Sequence, residues 1–166
     1  MNPNRQNMPK VILVDFAYTL CFPKTNAPSE SLNGLYHDIK EEDDQANPLN
    51  SLVMNQELLN YLRTLKTNYK IYIFTSGTMH TDQRIQQFLE PVFNGYFTSI
   101  QLNMPKSFPN AYKVIANKLS VTVADIIFID DQQKNIQAAI TAGCTGVLFT
   151  NTARTIESIQ KIIQKN

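Results

Sequence analysis

Val11-Ile12-Leu13-Val14-Asp15, and far along the chain Ile126-Ile127-Phe128-Ile129-Asp130-Asp131, decide how this protein folds. Both runs are apolar at successive positions and close on aspartate. A strand with one wet face alternates apolar and polar side chains, so unbroken runs like these belong to strands covered on both faces, as in a parallel sheet between two layers of helix. Ile71-Tyr72-Ile73-Phe74, Tyr96-Phe97-Thr98-Ser99-Ile100 and Gly146-Val147-Leu148-Phe149 predict three more strands. Helical stripes lie between them: Met54, Leu58, Tyr61, Leu62 and Leu65, then Ile85, Phe88 and Leu89, then Ala111, Val114, Ile115, Lys118 and Leu119. Pro109 suits a first helical turn. Asp131 or Gln132 precedes a further helix running to about Ala142 and stopping at Gly143, and Ile156, Ile159, Ile162 and Ile163 mark a final one. The succession predicts a single three-layer α/β/α, Rossmann-like domain over residues 1–166, with a mostly parallel five-stranded sheet.

With 166 residues, 15 Lys and Arg against 14 Asp and Glu, and a net charge of +1, the chain has the size of one domain and no global attraction for nucleic acid or anionic lipid. No stretch comes near the roughly 18 to 20 consecutive apolar residues of a membrane-spanning helix, and the polar Met1 to Lys10 lacks the apolar core of a signal peptide. A cytoplasmic protein is expected, with neither membrane nor nucleic acid as partner. Cys21 and Cys144 have no metal-ligand or paired spacing and read as reduced, small core residues.

Open parallel sheets bind ligands beyond the carboxyl ends of their strands, and polar residues gather at those positions here. The first strand ends in Asp15, the second in Thr75-Ser76-Gly77 and the fourth in Asp130-Asp131, with Asn135 soon after; Lys106 stands in the connection before the fourth. A carboxylate nucleophile, a hydroxyl, an ammonium and a carboxylate pair in one crevice suit a divalent cation and a phosphoryl group. The exception to the regular spacing is the connection from Cys21 to Asn50, which contains Pro23, Pro28, Gly34, Pro48 and the acidic residues Asp38, Glu41, Glu42, Asp43 and Asp44. So long a connection is usually functional or disordered. It is read as a small flap over about 21–50, with His37 and the acidic residues in a solvated loop.

In their order along the chain these residues resemble the four motifs of the haloacid dehalogenase superfamily. Val11 to Asp15 with Thr19-Leu20 resembles the first motif, whose aspartate is the nucleophile. Thr75 resembles the second, the hydroxyl that holds the transferred group, with Ser76 and Gly77 beside it at the substrate. Lys106, in Lys106-Ser107-Phe108-Pro109-Asn110-Ala111-Tyr112, resembles the third, whose lysine pairs with nucleophile and phosphate. Ile127 to Asp131 with Asn135 resembles the fourth, which supplies magnesium ligands. The resemblance implies a Mg2+-dependent phosphatase-like hydrolase working through an aspartyl intermediate, with Asp15, Thr75 and Lys106 catalytic. It implies metal ligation by Asp15, Asp131, Asp130 and the backbone carbonyl of Ala17, and a small or larger phosphate-bearing substrate. Minimal-cap relatives have open crevices, some closed by a neighbouring subunit, so a homo-oligomer fits the pattern.

One position departs from the pattern. Two residues after the nucleophile the family's phosphatases carry a second aspartate, which protonates the leaving group and then activates water; here that residue is Ala17. A methyl group does neither, and general acid/base catalysis is worth about 10² to 10⁴-fold, so turnover is expected to be weak. The alternative is a catalytically silent domain that binds a phosphate ligand or a protein partner. Dehalogenase chemistry fits poorly without the tyrosine that the dehalogenases carry at this position, and phosphonate chemistry without an identifiable cap lysine. A substrate-borne group, Tyr18, a flap lysine (Lys24 or Lys40) or water are the candidates for a substitute in proton transfer. His80 reads as a helix-start or surface residue and receives no role.

Overall fold

A computed structural model of the chain describes residues 11–25 and 31–164. The expectations for Met1 to Lys10 and for Pro28 lie outside the described residues. Five strands form the central sheet: β1 (Val11–Val14), β4 (Lys70–Thr75), β5 (Gly95–Thr98), β6 (Ile126–Asp130) and β7 (Thr145–Leu148), in the order β5-β4-β1-β6-β7, with every neighbouring pair parallel. After β1 the chain adds strands on one side, then returns to add β6 and β7 on the other. β1 therefore lies where the winding reverses, the place at which such sheets open a ligand crevice.

Alternation along each strand explains why the runs are apolar throughout. Ile12 and Val14 of β1, Ile71 and Ile73 of β4 and Ile127 and Ile129 of β6 pack on one face with α2 (Gln56–Leu65), α3 (Gln83–Leu89) and α7 (Thr152–Gln164). Val11, Leu13, Phe74, Ile126 and Phe128 pack on the other with α5 (Pro109–Leu119) and α6 (Gln133–Ala142). Every residue of β1 and β6 is buried, so a polar residue in either strand would be buried too. α6 ends where Gly143 adopts φ 108°, a left-handed conformation that glycine takes without penalty. No helix among the described residues is long and apolar enough to cross a membrane.

Four expectations need correction. The third predicted strand ends at Thr98, two residues early, because Thr98 caps a short helix, α4 (Ser99–Leu102). Its hydroxyl accepts the Gln101 N–H at 3.0 Å while its own N–H donates to Gln101 Oε1 at 3.3 Å, and Ile100 is left 72% exposed. Met54 belongs to β3 (Leu52–Met54), which pairs antiparallel with β2 (Cys21–Pro23), and not to the helix that follows. His37 and part of the acidic run do not lie in a loop. They ride on α1 (Leu32–Glu42), whose first turn is capped by the Ser31 hydroxyl accepting the Gly34 N–H at 3.0 Å.

The fourth concerns His80, which sits in a short 3-10 turn, as its helix-start reading had it, but is not a surface residue: it is only 2% exposed, edge-on to Tyr96 at a ring separation of 4.4 Å. Burial holds its imidazole below the ordinary histidine value and outweighs the opposing contact with the Gly77 backbone. The unfolded chain therefore takes up a proton near the ordinary value, about 6.5, that the folded chain still refuses. Stability contributed by this group is complete above that pH and is lost as the pH falls below it. His80→Phe is expected to lessen the drop in Tm between pH 7.5 and pH 5 relative to the native protein, read by thermal denaturation at both pH values.

Candidate active site

Asp15, Thr75 and Asp130 come from neighbouring strands of the parallel sheet, so their side chains meet at one edge of it. The Asp15 N–H donates to the Ile129 carbonyl at 2.8 Å, extending the β1–β6 ladder by one residue and bringing Asp15 alongside Asp130. After it the chain turns tightly: the Leu20 N–H returns to the Phe16 carbonyl at 2.9 Å, the Tyr18 N–H donates to the Cys21 carbonyl at 2.8 Å, and Tyr18 takes a left-handed φ of 58°. Ala17 thereby lines the crevice beside Asp15, while the Tyr18 ring packs against the core.

Lys106 is the centre of the charge network. Its ammonium lies 2.5 Å from Asp15 Oδ1 and 2.8 Å from Asp130 Oδ2, and all three groups are buried. The loop that carries it is anchored by Tyr112 of α5, whose hydroxyl lies 2.7 Å from the Lys106 carbonyl and 3.1 Å from that of Asn135. Asp130 is fully engaged, because its other oxygen accepts the Gln132 N–H at 2.8 Å and the Asn135 Nδ2 at 2.9 Å. Asp131 differs: its Oδ1 is buried and meets no hydrogen-bond partner. A buried carboxylate oxygen left in this state is costly unless something positive reaches it.

The titration behaviour follows from the same crowding. Burial pushes the Asp15 carboxyl up to about 7, against the pull of Lys106 and with the help of Asp130. Asp131 is raised by burial and by Asp130. Burial opposes the charge of Lys106, but Asp15 and Asp130 together hold its ammonium above the ordinary lysine value. One oxygen from each of Asp15, Asp130 and Asp131 falls within 4.8 Å of the others. Three ionised carboxylates against one ammonium leave two negative charges, which a divalent cation would cancel. Hard oxygen donors with one oxygen free suit Mg2+ or a cation like it.

The crevice holds about 240 Å³. Thr75 lines it, its Oγ1 accepting the Gly77 N–H at 3.2 Å, and Ser76 lines it with its hydroxyl 3.2 Å from that of Ser99. Gly77 lies behind, in the wall of an adjoining cleft. Lys24 is exposed and its side chain is not among the crevice lining; Lys40 faces the adjoining cleft. Sequence reasoning gave no site role to five residues that also line the crevice: Asn33, Pro105, Ser107, Gln132 and Lys134. Ser107 and Lys134 follow recognised residues closely enough to be found by position. Asn33 arrives from α1, and no local signal pointed to it. It reaches the site because residue 77 is glycine; a Cβ there would come within 2.1 Å of Asn33 Oδ1.

The family model for haloacid dehalogenase-like hydrolases matches residues 27–143, a span that takes in Thr75, Lys106, Asp130 and Asp131 and begins after Asp15. An enolase-phosphatase E1 of Methylococcus capsulatus is 34% identical over 79 residues, 44% of this chain and 34% of that protein. The chain spans between 34% and 51% of the length of the curated relatives it matches. Among solved structures, a predicted HAD-like family hydrolase from Porphyromonas gingivalis superposes with TM-score 0.69 at 14% identity, covering 96% of this chain and 100% of that one. A HAD family enzyme of Bacteroides thetaiotaomicron, solved as a magnesium complex, gives 0.63 at 15% identity over 87% of this chain and 94% of its own.

Proposed function

The chain belongs to the haloacid dehalogenase-like hydrolases, and from that premise we propose that it is a magnesium-dependent phosphatase that works through an aspartyl intermediate on Asp15. The observation that carries this reading is the buried contact of Lys106 with Asp15 and Asp130, beside the partnerless oxygen of Asp131. In the proposed reaction a carboxylate oxygen of Asp15 attacks phosphorus, the P–O bond to the leaving group breaks, and water then cleaves the acyl phosphate to return the carboxylate and release inorganic phosphate. Lys106 steadies the Asp15 carboxylate and, with the Thr75 hydroxyl, holds the phosphoryl oxygens. Ser76 supports them at the edge of the crevice and Gly77 shapes the turn.

Asp15, Asp131, Asp130 and the Ala17 carbonyl would hold Mg2+, which when bound supplies neutralisation of the charge on the phosphoryl group. Residues about 21–50 serve as a small flap on a single domain. The open crevice also leaves room for a second copy of the chain as a lid. Ala17 favours a second reading, a slow or silent domain that binds phosphate, because its methyl can neither protonate the leaving group nor activate water.

Release of inorganic phosphate from p-nitrophenyl phosphate and a panel of metabolite phosphates tests the proposal. Weak turnover is expected with Mg2+ and none after chelation. Mg2+ is also expected to raise Tm, since it binds the folded chain alone. Absence of both effects would sink the phosphatase reading.

A further inference from the structure

Among the described residues, Lys106 and Lys134 are the cations that line the reaction crevice, and they stand in opposite circumstances. The Lys106 ammonium is buried between Asp15 and Asp130, so its charge is answered inside the protein. Lys134 is exposed and makes neither a hydrogen bond nor an ion pair with any described residue. Thr75 closes β4, on one side of β1, and Lys134 lies in the first turn of α6, just after β6 on the other. A phosphoryl group on Asp15 would be flanked by both.

For folding alone the position suits a lysine poorly. α6 starts after Gln132, whose side chain makes no capping bond, and Lys134 is the second residue of a first turn that holds no acidic residue. Backbone dipoles give this end of a helix a positive partial charge, which a lysine there opposes. Lys118 shows the contrast, exposed in the last turn of α5, where a cation suits the dipole. Lys134 therefore weakens α6, and no partner within the chain offsets that loss. The charges of the crevice supply a reason for it. Ionised Asp15, Asp130 and Asp131 are cancelled by Lys106 together with a divalent cation, so the two negative charges of a phosphate monoester arrive with Lys134 as the uncommitted cation to meet them.

We infer that Lys134 is a specificity-determining residue of the crevice, whose ammonium favours a doubly negative phosphate group over a singly negative anion of the same shape, at the expense of helix stability. The inference rests on the phosphatase reading of Asp15 and its neighbours. Coulomb attraction scales with the charge of the partner and is screened by salt. Removing Lys134 therefore weakens a dianion more than a monoanion, and the difference fades as ionic strength rises.

Calorimetric titration of the Mg2+-loaded full chain at pH 8.5 and low salt tests this, with phenylphosphonate as the dianion and benzenesulfonate as its singly negative isostere. Lys134→Gln is expected to weaken phenylphosphonate by about ten-fold and benzenesulfonate by about three-fold, an order set by one exposed charge near the ligand. Lys134→Arg is expected to keep the native preference, and Lys118→Gln, which removes the same charge far from the crevice, to leave both affinities unchanged. Without ligand, the Tm of Lys134→Gln is expected to equal or exceed that of the native protein. Unchanged phenylphosphonate binding in Lys134→Gln, equal weakening of the two anions, an equal loss in Lys118→Gln, or affinity lost together with Tm overturns the inference. Turnover of p-nitrophenyl phosphate by the native protein would then leave the phosphatase reading intact. Failure of phenylphosphonate and inorganic phosphate to bind, with no turnover, overturns both.

Discussion

Ala17→Asp raises the rate of Mg2+-dependent phosphate release by about 10² or more, within the range general acid/base catalysis supplies. Ala17 lines the crevice beside Asp15, so a carboxyl there would project toward the leaving-group oxygen on a backbone already turned for it. The tight return of Leu20 to Phe16 and the left-handed Tyr18 belong to the main chain and do not depend on the methyl. Nor does the Ala17 carbonyl change, so the proposed metal site keeps its donors and the gain falls on proton transfer alone. The check is kcat for p-nitrophenyl phosphate in matched preparations of the native protein and the variant. A native protein that already turns over quickly and gains nothing would place the proton donor elsewhere, with Tyr18 the nearest candidate in sequence.

Asp15→Asn reduces activity to the uncatalysed background while making the metal-free protein more stable at alkaline pH. The first effect follows from loss of the proposed nucleophile, for which a neutral amide is no substitute. The second follows from the sign of the Asp15 shift. Its folded value, about 7, stands above the ordinary carboxylate value of 3.8, so the folded chain prefers the protonated form and ionisation costs stability as the pH rises through 7. Asn removes that cost. Lys106 remains paired with Asp130 at 2.8 Å, so no buried ammonium is abandoned. Rate and thermal denaturation at pH 8 without Mg2+ report the two effects, and their opposite directions separate lost chemistry from lost folding. With Mg2+ the order of stability is expected to reverse, because the variant has one negative charge fewer to hold the cation.

Much of this was legible in the chain. Runs such as Ile126 to Ile129 announce a strand dry on both faces, and the residue closing each run is carried to the sheet edge by a two-residue repeat that the backbone enforces. Asp15, Thr75 and Asp130 could therefore be assigned to one edge of the sheet from pattern and topology. The end of β5 could not, since Ser99 and Ile100 suit a strand as well as a helix until the Thr98 cap is formed with Gln101. Nor could the burial of His80, because nothing beside it in sequence shows that Tyr96 lies against it.

By itself the sequence determined the layered sheet, the helices that cover its two faces and the set of polar groups at the strand ends, because each depends on periodicity within a few residues. Only the tertiary structure decided how those groups share charge. It engages both oxygens of Asp130 and leaves one of Asp131 free, buries His80, and brings Asn33 from a distant helix over Gly77. These outcomes rest on contacts between segments far apart in the chain, where distance and desolvation, set by the packing of whole elements, fix the energy of each group.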